Sequence, residues 1–389
     1  MNKLFKIILI ISLVFMCCSC KEDVPHRDVE QIFEYVFDAG TYTKLDYEYA
    51  KNYFAKENDN YGGKCSAIAK TLGNNQTIVG RNMDLNISNR CAYVVRTKVK
   101  DCYETLGLTY TFRDVSPQYE VVKENGIDGD FAKVLPFMAD DVLNSEGLYI
   151  EINMRNGEFW PTGEPKFSCS GTNPESNERV YLFEIPRYVG EHCATVDEAI
   201  EYVKTLNVYS KDGYWNYCFL MADATGHYGL LEFAMNEVIW HDYQPCQTNF
   251  YIDENLQEIE ELKCGVGRYE YLMSHIDDVK DENDMFNLMD DVTYYQVYDP
   301  ANSKYDVLSE DVGVLPYCSY SFLLENREKV LDLMQTYGDQ VRAMSRQQQQ
   351  ADNTYWESSF TEVINCNNKT LHVRFFEDNS KVLTLSFDK

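Results

Sequence analysis

Beyond position 20 the chain has no CxxC cysteine pair and no HExxH segment, and only six histidines are scattered along its 389 residues. Zinc is held by closely spaced thiolates and imidazoles, so a zinc site has little support. A dithiol oxidoreductase would lack the adjacent pair its exchange chemistry uses. Basic residues are scarce as well: 35 Lys and Arg face 63 Asp and Glu, a net charge of -28. Phosphate backbones and anionic bilayers are bound by clustered Lys and Arg, which argues against nucleic acid as a partner and against a charged membrane surface. No internal repeat is visible. An apolar run, Ile7 to Met16, is too short to span a bilayer comfortably.

What is present at the N-terminus reads as an export signal over residues 1–20. Lys3 and Lys6 precede the apolar run, and Cys17-Cys18-Ser19-Cys20 follows it. The small residues before Cys20 resemble a loose bacterial lipobox, and Lys21-Glu22-Asp23 resembles the acidic tag of surface lipoproteins. Cys20 is therefore expected to carry a lipid anchor in a cell-envelope or periplasmic protein; Cys17 stands where Leu is usual, so a plain cleaved signal stays open. Ten of the 13 cysteines lie beyond Cys20. With Cys65 set aside for chemistry the remainder is odd in number, so some are expected as buried thiols, and no disulfide pattern can be read.

Residues 21–64 are charged and aromatic, with helical spacing at Val29, Ile32, Phe33, Tyr35 and Val36, and end at the turn signal Gly62-Gly63. They read as a prosegment ahead of a catalytic domain over 65–389. From Cys65 onward short strand-like runs dominate: Ser66-Ala69, Thr77-Gly80, Tyr93-Thr97, Tyr149-Asn153, Tyr217-Met221, Gly229-Phe233 and Val238-Trp240. A capping box, Thr195 with Glu198, opens a helix through Ala199, Ile200, Val203 and Leu206. A second helix is expected over Phe322 to Met334 and an exposed loop over Ser345 to Asn353. Thr361-Asn365, Thr370-Phe376 and Lys381-Phe387 close the chain as strands. Strands grouped apart from a few helices favour an α+β layered domain over a parallel βαβ fold.

Cys65 stands in Gly62-Gly63-Lys64-Cys65-Ser66-Ala67-Ile68, with Arg81 sixteen and Asp84 nineteen residues downstream in Gly80-Arg81-Asn82-Met83-Asp84. This block resembles the opening of the choloylglycine hydrolase group, which includes bile salt hydrolases, penicillin V acylases and the related acid ceramidases. Further matches follow in the family's order: Asn144-Ser145-Glu146-Gly147-Leu148, Pro186-Arg187-Tyr188 leading into Ala194 to Ala199, Met221 to Gly226, Gln247-Thr248-Asn249-Phe250 and Gly265-Val266-Gly267-Arg268-Tyr269. The resemblance spans about residues 65 to 389 and implies a four-layer αββα N-terminal-nucleophile hydrolase fold.

It also implies a chemistry. A cysteine freed at its nitrogen carries nucleophile and base in one residue, because its α-amino group, titrating near ~7.7 to 8.0, can take the thiol proton. That requires the Lys64-Cys65 bond to be cut, in the family often by the same thiol. By resemblance, Asp84 holds the new ammonium or thiol in register, Arg81 lowers the thiol pKa beside it, Asn249 donates to the oxyanion, and Arg268 pairs with Asp84 or reaches the nucleophile. Asn153 falls near a second oxyanion asparagine, one residue out of register with the bile salt branch. Phe250-Tyr251 after Asn249 looks more like acid ceramidase, which puts bile salts in doubt as substrate.

The expected protein is an amidase acting on a small N-acyl amide, with no metal or organic cofactor implied and the oligomeric state, a homo-oligomer included, left open. An acyltransferase of the isopenicillin type and a non-cleaving binding lipoprotein are the alternatives. Acyl and amine specificity are not legible.

Overall fold

The computed structural model describes residues 32–38, 63–85, 92–110, 124–127, 135–137, 139–155, 160–210, 216–260, 265–292, 297–299, 304–306, 357–375 and 378–387. Of the sequence expectations, the signal segment, the helix over Phe322 to Met334 and the loop over Ser345 to Asn353 lie outside these residues.

Eighteen strands are defined: β1 (Ile32–Asp38), β2 (Gly63–Thr71), β3 (Thr77–Leu85), β4 (Ala92–Lys98), β5 (Thr105–Tyr110), β6 (Asp141–Asn144), β7 (Tyr149–Arg155), β8 (Arg179–Tyr181), β9 (Asn207–Tyr209), β10 (Asn216–Ala222), β11 (Tyr228–Ala234), β12 (Glu237–Asp242), β13 (Cys246–Gln247), β14 (Val297–Asp299), β15 (Lys304–Asp306), β16 (Glu357–Asn365), β17 (Thr370–Phe375) and β18 (Asp378–Ser386). Five α-helices join them: α1 (Ile185–His192), α2 (Val196–Thr205), α3 (Glu254–Ile259), α4 (Val266–His275) and α5 (Glu282–Asp291). Every strand run expected from the sequence after Cys65 coincides with one of these strands, except that Lys381-Phe387 runs one residue past β18 and Phe376, the last residue of Thr370-Phe376, lies outside the described residues. α2 begins at the expected cap: Thr195 accepts from the Glu198 N–H, while Glu198 accepts from the Ala194 N–H, one residue before the partner a full capping box would use.

The strands form two large sheets, one ordered β1-β4-β5-β6-β7-β10-β11-β12 and the other β13-β2-β3-β16-β17-β18, with β8-β9 and β14-β15 as small separate pairs. Side chains alternate between faces along a strand, and burial shows what each face meets. Ile150, Ile152 and Met154 of β7 and Leu231 and Phe233 of β11 pack with Val189, Val196, Ala199 and Val203 of α1 and α2. The opposite face, with Leu106, Leu108, Tyr149 and Leu220, meets Ala67, Ala69, Val79, Met83, Phe360 and Ile364 of the second sheet. The far side of that second sheet, Ile68, Ile78 and Val363, is covered by Leu272 of α4 and Met285, Phe286 and Met289 of α5. Helix, sheet, sheet, helix is the layer order, the αββα arrangement expected from the resemblance.

Gly80 shows why the last layer fits. A Cβ there would fall 2.6 to 2.8 Å from the side chains of Met285 and Met289, so the bare backbone of β3 lets α5 sit on it.

Residues 32–38 depart from expectation: the helical spacing read there is overridden by a strand, β1, running parallel to β4 from Ile32↔Ala92 to Asp38↔Lys98. Ile-Phe-Glu-Tyr-Val-Phe is rich in β-branched and aromatic residues that suit a pleated surface, and pairing with a ready sheet edge outweighs a short helical pattern.

Candidate active site

Cys65 occupies the third position of β2, facing inward between the sheets and 3% exposed. β2 and β3 pair antiparallel with Lys64↔Asp84, Cys65↔Met83 and Ala67↔Arg81. The sixteen- and nineteen-residue spacings are thus the geometry of one hairpin, which brings both downstream residues back beside the Cys65 strand. Asp84 is inside β3 rather than in a turn after it. Its backbone N–H faces the Cys65 sulfur, and the thiol hydrogen points to Met83 Sδ at 3.6 Å. Burial pushes the thiol up to about 12, with Arg81 opposing and the Asp84 charge adding to the rise. At neutral pH this thiol is protonated.

Arg268 binds these parts together. It is the third residue of α4, and only 4% exposed. Nη1 donates to the Cys65 carbonyl at 2.9 Å, to Ser66 Oγ and to Asp84 Oδ2 at 3.4 Å, while Nη2 donates to Asn249 Oδ1 at 2.7 Å. Asn249 arrives through β13, which pairs Cys246↔Ile68 and Gln247↔Ala67 and so runs beside β2, the strand of Cys65. Its Nδ2 donates to the Met154 carbonyl at 2.8 Å. Four of the six residues singled out in the sequence, Cys65, Asp84, Asn249 and Arg268, therefore meet in one cluster.

α4 is fixed at both ends. At its start Gly265 has φ +80°, and a Cβ there would lie 2.8 Å from Arg268 Nη2 and 2.9 Å from Thr248. Thr248 Oγ1 donates to the Gly265 carbonyl at 3.1 Å. Past its other end, Lys70 of β2 donates to the carbonyls of Ile276, Asp277 and Val279.

Arg81 and Asn153 belong to a second, adjoining network. Arg81 is fully buried; Nη1 reaches Asp141 at 2.6 Å and Glu362 at 3.3 Å, Nε reaches Glu151 at 3.1 Å, and Nη2 donates to the Ile152 carbonyl and faces Met83 Sδ. It touches the thiol's neighbour Met83 rather than the sulfur. Three carboxylates around one guanidinium cannot all ionise cheaply. Burial, and then the adjacent Asp141, push Glu362 well above the carboxylate range, and burial brings Glu151 to about 7 against the pull of Arg81 and Gln247. Asn153 donates to Glu151 Oε2 at 2.9 Å and to the Ile152 carbonyl, and accepts from Gln247 Nε2 at 3.3 Å. Gln247 also donates to Glu151.

Glu151, Asp141, Glu362, Gln247 and Ser66 went unnoticed in the sequence. One was within reach: in Tyr149-Ile150-Glu151-Ile152-Asn153, alternation sets Glu151 and Asn153 on one face, opposite two isoleucines. Several expected motifs prove structural. Asn144 ties the β6–β7 turn to Gly190 and Cys193, and Asp223 shapes its own turn while accepting from Val196 at the start of α2. Cys65, Cys102, Cys169, Cys193, Cys218, Cys246 and Cys366 are free thiols, all buried except Cys102. Among the described residues no His/Cys/Asp/Glu group could hold a metal ion, and no helix is long and apolar enough to cross a membrane.

A buried cysteine on an inner strand of an αββα sandwich, beside an Asp, an Asn and an Arg, is the arrangement of the N-terminal-nucleophile class. Residues 131–307 match the family model of acyl-coenzyme A:6-aminopenicillanic acid acyl-transferase, a stretch that holds Asn153, Asn249 and Arg268 but not Cys65. Over that stretch the chain is similar to that family, and the Cys65 to Asp84 block lies outside it. Among solved structures, a mutant of conjugated bile acid hydrolase from Clostridium perfringens is similar at 14% identity, covering 83% of this chain and 92% of that one with a TM-score of 0.44. Penicillin V acylase from Agrobacterium tumefaciens is similar at 13%, covering 84% and 87%, with a TM-score of 0.49. No curated protein matches the chain.

Proposed function

We propose that this chain is a cysteine amidase that hydrolyses linear N-acyl amides after the Lys64-Cys65 bond is cut. The observation that carries this reading is the contact set of Arg268, which joins the main chain of Cys65, the carboxylate of Asp84 and the amide of Asn249. Once freed, the Cys65 α-amino group takes the thiol proton, and the thiolate attacks the substrate carbonyl. The oxyanion that forms is met by the Asn249 N–H not committed to Met154. Collapse expels the amine with the proton returned from the α-amino group, leaving a thioester on Cys65 that water then hydrolyses. Asp84 holds the charge that develops on the amine. Arg81, with Glu151, Gln247 and Asn153 behind it, fixes Met83 and the floor under the sulfur.

Acyl transfer to an amine is the second reading, favoured by the name of the matched family. It shares every step up to the thioester and differs only in what attacks it. The same proposal includes export with a lipid anchor at Cys20. Retention of residues 21–64 after cleavage is supported by the parallel pairing of β1 with β4.

Intact-mass analysis of the purified protein tests the reading. A chain starting at Cys65 is expected in wild type and not in Cys65→Ala, together with hydrolysis of members of an N-acyl amide panel. A wild-type protein that stays uncut and inert, like Cys65→Ala, sinks it. Added amines that divert the acyl group from water would favour transfer.

A further inference from the structure

Glu232 lies on β11 between Leu231 and Phe233, both in the helix-side core, so alternation sets its carboxylate on the other face. It is fully buried and accepts four hydrogen bonds. Oε1 takes Arg155 Nη2 at 2.6 Å and the Ile252 N–H at 2.9 Å; Oε2 takes His241 Nε2 at 2.8 Å and the Asp253 N–H at 3.1 Å. The preceding N–H, that of Tyr251, is held by Glu260 Oε2 at 3.0 Å. Three successive backbone donors are thus tied to two carboxylates. Two residues earlier stands Asn249, whose amide is held by the carbonyl of Met154, the chain neighbour of Arg155. The Arg155 guanidinium also rests over the Tyr251 ring at 4.8 Å. Burial alone would raise the Glu232 carboxyl, yet Arg155, His241 and the Ile252 N–H hold it below the usual range, so these are charge-assisted bonds.

We propose that Glu232 is a positioning residue for Asn249, acting through the main chain of residues 251–253 and through Arg155 at the end of β7. Its kinetic consequence rests on the amidase reading above. A segment with no helix or strand of its own and a single bridge at Asn249, as from Thr248 to Asp253, would ordinarily move more than a strand. An oxyanion donor on such a segment is useful only if held to within a fraction of an ångström. Glu232 supplies that rigidity from a strand that touches neither Cys65 nor Arg268 in any hydrogen bond described for it. A purely structural carboxylate would support the fold without favouring one step of the reaction.

A mutant cycle on the matured protein, assayed with N-acyl nitroanilides, separates the two roles. Glu232→Gln is expected to lower kcat by about tenfold to a hundredfold, with KM within about twofold. In an Asn249→Ala background the same change is expected to cost less than about twofold, because the group it positions is gone. His241→Phe removes one donor at a partly exposed site and is expected to give a smaller kcat loss in a folded protein, which covers the case in which Glu232→Gln does not fold. Amide hydrogen exchange gives a readout without turnover: protection at Ile252 and Asp253 should fall in the variants while the β11 amides keep theirs. Equal losses with and without Asn249, or unchanged exchange at 251–253, overturn the proposal. A wild-type protein inert on every amide would remove the amidase reading, leaving the exchange result to judge the positioning role.

Discussion

Arg268 donates to Asn249 Oδ1 at 2.7 Å with one arm of its guanidinium and to the Cys65 carbonyl at 2.9 Å with the other. A planar fork can span the two partners at once, whereas an ammonium is a point donor on a flexible stem. Arg268→Lys is therefore expected to lose about a hundredfold in kcat with a small change in KM, as read from steady-state kinetics on a matured chain.

Asn249→Asp separates donor chemistry from packing. It keeps the volume and the contact with Arg268 but turns a carboxylate oxygen toward the Met154 carbonyl that the amide now bonds, so a modest loss of thermal stability is expected. The N–H available to the oxyanion is gone, and a loss of ~10² to 10³ in kcat is expected, no smaller than for Asn249→Ala. Melting curves and kcat measured on the same samples check both halves.

Gly265→Ala strikes the same guanidinium from the backbone. A left-handed residue with a Cβ costs about 1 to 2 kcal/mol. The methyl would also press on Arg268 Nη2 and Thr248. Urea denaturation should show that loss of stability, accompanied by a fall in kcat that a remote left-handed glycine, such as Gly163, would not produce.

Arg81→Gln leaves Asp141, Glu151 and Glu362 without their shared cation. Removing one partner from a buried ionic group typically costs about 3 to 5 kcal/mol. Poor accumulation of folded protein at neutral pH is expected, with partial recovery near pH 5, where Glu151 and Glu362 can be neutral. Soluble yield and denaturation midpoints at the two pH values decide it.

Glu151 makes a prediction with a definite sign. Its carboxyl is raised from the ordinary 4.5 to about 7, chiefly by burial. The folded chain therefore holds a proton that the unfolded chain releases. Stability from this group is complete below pH 4.5 and declines as pH rises to about 7, by about 3 kcal/mol in all. In a Cys65→Ala background, Glu151→Gln should flatten the pH dependence of the unfolding free energy across that window. An unchanged slope would place the proton elsewhere.

Much of the site was legible because it is local. Cys65, Arg81 and Asp84 sit on one hairpin, and the spacing between them is the hairpin's own register. Asn249 and Arg268 could be marked by their motifs, though their mutual hydrogen bond joins a strand edge to a helix start. The acidic shell of Arg81 could not be read, because Asp141 and Glu151 face each other across the β6–β7 hairpin while Glu362 comes from β16, distant in the chain, and each alone looks like an ordinary polar residue in a strand. Asn153 was marked for the oxyanion, yet its partners are Glu151, Gln247 and a carbonyl. The segment at 32–38 was misread because its apolar spacing fits a helix, whereas the edge of β4, which decides its state, is invisible in a local window.

β2 runs unbroken across the Lys64-Cys65 bond, with Gly63 opposite Leu85 and Lys64 opposite Asp84. On the amidase reading, an extended acyl amide bound beside Cys65 would take the place that residues 63 and 64 hold in this ladder, so the cut that frees Cys65 would also have to clear its seat. A short peptide ending in Gly-Lys, matched to the vacated ladder, is then a natural starting point for a competitive inhibitor.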